Sequence, residues 1–189
     1  MALPLAHSLV GFTLYDLIAD ERGKWSLGMI CLFIFIANLP DLDVLPGLLV
    51  GDANKFHRHY LSHSVGASMI FGALIAAVFS FLKQKPFMIH FFVFSCVCFS
   101  HVIIDFLNED TRPPFGVPIF WPFTNEYIIS PIPIFMSVHK IGQSDLFFKS
   151  VFLMQNFWVA LREIVIIVPI LTLVRFFKMR KQDEPNETN

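Results

Sequence analysis

The sequence predicts an all-α integral membrane protein, a helical bundle of about four to five membrane-embedded helices with a Pro-rich outer loop. The 189 residues are 55% hydrophobic and only 15% charged, whereas soluble domains carry about 25% charged residues. The clearest apolar run, Val65–Leu82, is about 27 Å long as a helix and matches the hydrocarbon thickness of a bilayer. A net charge of −1 leaves no basic excess for binding nucleic acid.

The apolar segments follow one another along the chain. The first, Leu5–Ala19, carries Asp16 near its end, so we expect it to lie in the interface or to enter the membrane as a short helix. Longer apolar segments follow at Trp25–Leu39, Val65–Leu82, Phe87–Leu107 and about Phe147–Phe177. We expect one membrane-embedded domain over residues 1–181 and a disordered polar tail over residues 182–189.

Basic residues cluster at Arg22–Lys24, Lys83–Lys85 and Arg175–Lys181. The positive-inside rule assigns these clusters to the cytoplasm of a multi-pass inner-membrane protein. Most of the remaining ionisable residues then fall at the outer end. Two loops lie on that side, Asp41–His57 and the proline-rich Asn108–Ile141, and the second is apolar enough to form an ordered cap.

The pair Asp41 and Asp43 follows Pro40. A residue before proline is biased away from helix, so we expect both carboxylates in an extended stretch just after a helix end. A polar helix terminus at the membrane interface is an equally simple interpretation.

The second cluster, from His57 to Ser64, precedes the best transmembrane segment and includes His59 and His63. Residues four apart share a helix face, so His59 and His63 are expected to do so. A structural role for an interfacial histidine cluster remains open.

His101 and Asp105 are the most informative pair because they lie inside an otherwise apolar segment. Ionisable groups within a membrane span are costly unless they face the bundle interior and are paired or metal-bound. They can be a hydrogen-bonded pair that locks two helices together. Alternatively, one Asp of the first motif, one His of the second and both members of this pair complete a four-ligand site for zinc or a related divalent ion.

Other polar residues are accessory candidates. His7 is suited to ligate a second ion, and Arg58 to bind either a phosphate or lipid headgroups. Glu163 interrupts the last apolar segment. An ionisable side chain within a membrane span costs free energy, so Glu163 is a functional candidate. His90 and His139 are interpreted as structural.

In the order of these motifs the sequence resembles the YdjM-type, LexA-regulated, membrane-bound metal-dependent hydrolases. The matching pieces are His7 with Gly11, Pro40–Asp43, His57–Ser64, Ser100–Asp105, and Gly116 with Phe120–Phe123. That family is similar in motif order to bacterial zinc phospholipase C. The resemblance implies that Asp41, His63, His101 and Asp105 surround one metal, with His7 and Asp105 near another. No counterpart of the phospholipase N-terminal Trp ligand is present, so one or two ions are expected.

We therefore expect a membrane-bound enzyme that hydrolyses an ester or phosphoester of a lipid-like substrate. A divalent metal, with zinc as the first candidate, would activate the water. Asp43 is the candidate general base and Arg58 the candidate phosphate-binding residue, while His57, Ser64 and Glu163 are accessory. Two alternatives stay open: a non-catalytic metal-binding or ion-translocating membrane protein, and a structural membrane protein whose His/Asp pairs fasten helices.

Overall fold

The computed structural model describes residues 2–19, 26–58, 61–111 and 113–183. This part of the chain is helical and contains no strand beyond isolated bridges. Its α-helices are α1 (Pro4–Ile18), α2 (Leu27–Asn38), α3 (Val44–Leu49), α4 (Val65–Lys83), α5 (Phe87–Phe106), α6 (Ser144–Val151) and α7 (Met154–Asp183), with a 3₁₀ helix at Leu39–Asp43. The prediction of an all-α membrane bundle is confirmed.

Four helical stretches are long and apolar enough to cross a membrane: Leu27–Leu49, Val65–Lys83, Phe87–Phe106 and Met154–Arg180. The shorter α1 packs against α2, α5 and α7. The last apolar segment is divided at residues 152–153 into α6 and α7, and α7 continues to Asp183, two residues into the predicted tail. Residues 184–189 lie outside the described part.

Contacts between helices fix their relative directions. Gly72 of α4 packs directly on Ser95 of α5, a contact that leaves no room for a Cβ, and these two helices are antiparallel because they are joined by a short turn. Leu3 contacts Glu163 near the start of α7, while Asp16 contacts Arg175 near its end. Helices α1 and α7 therefore run in the same direction.

The expectation of an extended stretch at Asp41 and Asp43 is wrong. Leu39, which precedes Pro40, has helical angles (φ −58°, ψ −40°), and both aspartates lie in the 3₁₀ helix Leu39–Asp43. Pro40 is tolerated there because it occupies the first turn, whose N–H groups need no partner within the helix. The turn joins α2 to α3 and directs Asp41 into the bundle.

The described residues of the proline-rich loop, 108–111 and 113–141, pack over the start of α4. The backbone N–H groups of Val65 and Gly66 donate to the carbonyls of Ile119 and Trp121, each over 2.9 Å. Val117 is fully buried. Loop carbonyls thus satisfy donors that a helix N-terminus leaves without intrahelical partners, and these bonds fix the start of α4 against the loop.

Candidate metal centre

Four side chains, Asp41, His63, His101 and Asp105, converge at one end of the bundle, and their candidate ligand atoms all lie within 4.8 Å of one another. Asp41 comes from the 3₁₀ helix, His63 from the turn before α4, and the other two from α5. His63 precedes the first residue of α4, so it does not project from a helix face, and His59 lies outside the described residues. The structure brings together the four residues that the family resemblance implied.

The distances suit a small metal ion. His63 Nε2 is 3.6 Å from Asp41 Oδ1 and 3.4 Å from Asp105 Oδ2. His101 Nε2 is 3.5 Å from the same Asp41 oxygen and 3.7 Å from the same Asp105 oxygen. The two Nε2 atoms are 3.2 Å apart. Tetrahedral zinc with its usual bonds to nitrogen and oxygen places neighbouring ligand atoms about 3.3–3.5 Å apart, so this donor set fits it.

Hydrogen bonds behind the cluster orient the two imidazoles. His101 Nδ1 donates to the backbone carbonyl of Ala37 over 2.8 Å, which directs Nε2 toward the cluster. His63 Nδ1 bonds Ser62 Oγ over 2.9 Å and lies 3.3 Å from Asp43 Oδ2. Partners of this kind are typical of metal-binding histidines, whose tautomer and ring orientation they fix.

Several buried polar atoms in and beside the cluster have no hydrogen-bond partner in the described part of the chain. They are both carboxylate oxygens of Asp41, Asp105 Oδ2 and both ring nitrogens of His7. Buried carboxylates are costly unless they are paired or bind a metal. Burial acts to lower the pKa of His63, but the surrounding carboxylates outweigh it and hold that pKa well above its ordinary value. The surroundings of His63 therefore favour a cation.

His7 lies against the cluster without belonging to the group of four. Its Nε2 is 3.7 Å from Asp105 Oδ1, and its ring stacks on that of His101 with centroids 3.7 Å apart. The other side of Asp105 is held by the backbone, because the N–H of Ala2 donates to Oδ1 over 3.2 Å. The role of His7 as a ligand of a second ion stays a prediction.

Asp43 is the centre of a hydrogen-bond network beside the cluster. It accepts from His57 Nδ1 at 2.7 Å, from the Arg58 backbone N–H at 2.9 Å and from Ser62 Oγ at 2.6 Å. Burial lowers the pKa of His57 to about 4, so its ring is neutral at pH 7. The general-base role of Asp43 stays a prediction. These contacts suit Asp43 to orient His63.

Arg58 is anchored on both sides. Its guanidinium pairs with the carboxylate of Asp110, including an Nη2 to Oδ1 contact of 3.2 Å. Its backbone is left-handed (φ 59°), and the Arg58 carbonyl accepts from Tyr127 Oη over 3.2 Å. Sequence reasoning did not identify Asp110 as a partner of Arg58, because nothing distinguishes this residue from other loop carboxylates. The phosphate-binding role of Arg58 stays a prediction.

The remaining candidates contact the backbone. Ser64 Oγ accepts from the Ala67 N–H over 3.0 Å and caps α4. Glu163, fully buried in α7, accepts from the N–H groups of Leu3 (2.6 Å) and Ala6 (3.1 Å) at the start of α1. It therefore fixes the helix that carries His7.

His90 and His139 make structural contacts. His90 donates to the Pro86 carbonyl, and the backbone of His139 bonds the Asn156 side chain.

Lys140 is a further residue that sequence reasoning missed, although it follows His139 in the same loop. It is 9% exposed. Burial lowers its pKa to about 8, an effect that the charge of Arg58 increases and that of Asp41 opposes. A buried cation thus lies near the carboxylates of the cluster. The only sequence signal was a charge within an apolar stretch.

Comparison with known families gives one result. The family model described as YdjM inner membrane protein matches residues 1–181. No curated protein and no solved structure matches the chain. The distant similarity to zinc phospholipase C is not supported by these comparisons and remains a prediction.

Proposed function

Since the chain belongs to the YdjM inner membrane protein family, we propose that it is a membrane-bound metal-dependent hydrolase that cleaves an ester or phosphoester bond of a lipid-like substrate. The observation that carries the proposal is the convergence of Asp41, His63, His101 and Asp105. Their buried carboxylates include oxygens that lack a hydrogen-bond partner in the described part. Two carboxylates and two imidazoles suit zinc or a similar divalent ion.

The residues have distinct roles in this proposal. Asp41, His63, His101 and Asp105 hold the ion, and His7 lies where it can contact a second one. A divalent ion in such a site supplies Lewis acidity toward a carbonyl or phosphoryl oxygen and lowers the pKa of water. As the candidate general base, Asp43 would hold His63 and take a proton from the water that attacks the ester or phosphoester bond. The location within a membrane supports a lipid substrate, and the basic clusters support a site that faces the outer side.

The geometry favours hydrolysis over ion translocation. Translocation requires polar groups in a line across the membrane, for which the sequence offers mainly His90 and Glu163. Both already bond backbone groups, His90 at Pro86 and Glu163 at Leu3 and Ala6. Neither provides a continuation of the cluster toward the opposite end of the bundle.

Metal analysis of the purified protein tests the site. The wild type is expected to hold zinc that the double variant His101→Ala, Asp105→Ala lacks. His90→Ala, on the same helix and away from the cluster, is the matched control and should keep its metal. Equal metal content in the wild type and the double variant would overturn the site.

Hydrolysis requires a separate assay. The metal-loaded protein in lipid nanodiscs is incubated with phosphodiester, phosphomonoester and carboxylic ester lipids, and the double variant serves as the blank. Metal-dependent turnover of one class supports the hydrolase. Metal binding with no turnover of any class would favour the non-catalytic metal-binding alternative.

A further inference from the structure

An apolar cavity of about 550 Å³ lies beside the cluster, between the start of α1, α2, α3 and α6. Cavities of about 300–1,000 Å³ are typical of sites for small ligands. Its wall is apolar apart from four residues, Ser8, Asn38, Asp41 and Lys140. The amphipathic α6 contributes two adjacent phenylalanines, Phe147 and Phe148. An elongated hydrocarbon group suits this wall better than a polar ligand.

The apolar surface continues beyond this cavity. A neighbouring cavity of about 530 Å³ shares Leu3, Pro4, Val151 and Phe152 with the first and extends along the start of α7. Phe152 is 86% exposed, and α7 is one of the candidate membrane spans. A chain in the apolar cavity would therefore be continuous with the hydrocarbon region around α7.

The polar residues of the cavity wall lie close to one another. Asn38 Nδ2 donates to Ser8 Oγ over 3.0 Å, and Asp41 follows Asn38 by one turn. Asp41 is also a member of the metal cluster, so the cavity and the cluster share a wall. Lys140 lines the same cavity as Asp41 and is almost fully buried. A positive charge thus stands where the apolar cavity meets the cluster.

We propose that the apolar cavity holds the hydrocarbon chain of a phospholipid substrate and that Lys140 binds the phosphate of that lipid beside Asp41. The inference rests on the proposed function and adds the substrate class to it. A lysine ammonium binds phosphate oxygens as a compact charge, and the chain enters from the surrounding bilayer. Lys140 is in this view a substrate-binding residue.

Two pairs of variants test the proposal. Leu45→Trp fills the cavity from α3 at a residue that is 52% exposed, and Leu49→Trp, on the same helix but 88% exposed and outside the cavity wall, is its control. Lys140→Met removes the charge, and Lys140→Arg retains it. Thermal unfolding of each purified variant in detergent identifies any that do not fold.

Native mass spectrometry measures binding of palmitoyl-lysophosphatidic acid, its hexanoyl analogue and inorganic phosphate to the full chain. The palmitoyl lipid should bind the wild type at least about tenfold more tightly than the hexanoyl lipid or inorganic phosphate, since only it fills the cavity. Leu45→Trp and Lys140→Met should each weaken its binding about tenfold or more. Leu49→Trp and Lys140→Arg should stay close to the wild type.

The outcomes separate this inference from the proposed function. Equal binding of all three probes by the wild type, or unchanged binding by folded Leu45→Trp and Lys140→Met, would overturn the inference even if the protein hydrolyses lipids. Conversely, chain-dependent binding that both variants weaken would support it, even if metal-dependent turnover were absent and the proposed function failed.

Discussion

The imidazole of His7 stacks on that of His101, with centroids 3.7 Å apart and ring planes inclined by 17°. This contact joins the first helix of the chain to the helix that supplies half of the candidate metal cluster. His7 is fully buried and its ring nitrogens lack hydrogen-bond partners in the described part. A residue placed in this way influences the cluster whether or not it binds an ion itself.

We expect His7→Ala to retain one zinc ion per chain and to bind it about 10–100-fold more weakly, which is the usual effect of removing a supporting group. The reason is that the four donors of the cluster remain, while the stacking partner of His101 is lost. Competition with a zinc-chelating dye measures the affinity. An unchanged affinity would contradict the prediction, and complete loss of zinc would make His7 a primary ligand.

Asp43→Asn is expected to weaken zinc binding by about 10–100-fold. The amide keeps the shape of the carboxylate, but it removes the negative charge near His63 Nδ1, from which Asp43 Oδ2 is 3.3 Å. Asp52→Asn, an exposed position in the same loop whose carboxylate bonds the Asn54 N–H, is the control. Equal affinities for the two variants would show that Asp43 does not support the site.

Glu163→Ala should lower the free energy of unfolding by about 2 kcal/mol or more, because it leaves the buried N–H groups of Leu3 and Ala6 without their carboxylate acceptor. Glu163→Gln keeps one acceptor oxygen and should recover part of the loss. Denaturant unfolding in detergent measures both. Arg162→Ala, at the exposed neighbouring position, should behave like the wild type, and an equally stable Glu163→Ala would refute the capping role.

Gly72→Ala is expected to destabilise the protein by about 1–3 kcal/mol through overpacking. A Cβ at Gly72 would overlap Ser95 Oγ and would lie 2.6 Å from the Ser95 backbone nitrogen, at a contact between α4 and α5. Gly28→Ala, near the start of α2 with no atom within 4 Å of its Cβ, should be neutral or stabilising. Similar melting temperatures for the two variants would contradict this packing.

The sequence predicted α4 and α5 well because an uninterrupted apolar run of membrane length permits few other structures. The meeting of one Asp of the first motif and one His of the second with His101 and Asp105 was also predictable, since ionisable residues within a membrane span are costly unless they face the interior and are paired or metal-bound. The choice of Asp41 and His63 came from the family resemblance. Their function as metal ligands stays a prediction.

Other features depend on contacts between distant parts of the chain. Local rules gave an extended conformation at Asp41, but the chain forms a 3₁₀ helix there, which contacts α2, α3 and α5. The partner of Glu163 is the backbone at Leu3, 160 positions away, and a backbone N–H has no signature in the sequence.

Arg58 pairs with Asp110, 52 positions away, because the proline-rich loop folds back over α4. Lys140 becomes significant only when the same loop brings it to the apolar cavity.

The contact between Leu3 and Glu163 also has a consequence for biogenesis. The ribosome makes the start of α1 long before α7 exists, so its N–H groups must be satisfied by water or by headgroups until the last span is inserted. We therefore expect helix α1 to reach its final depth only after α7 is inserted, although α1 is synthesised first. Ribosome-bound intermediates that lack α7 should leave α1 accessible to aqueous probes, and completion of the chain should withdraw it.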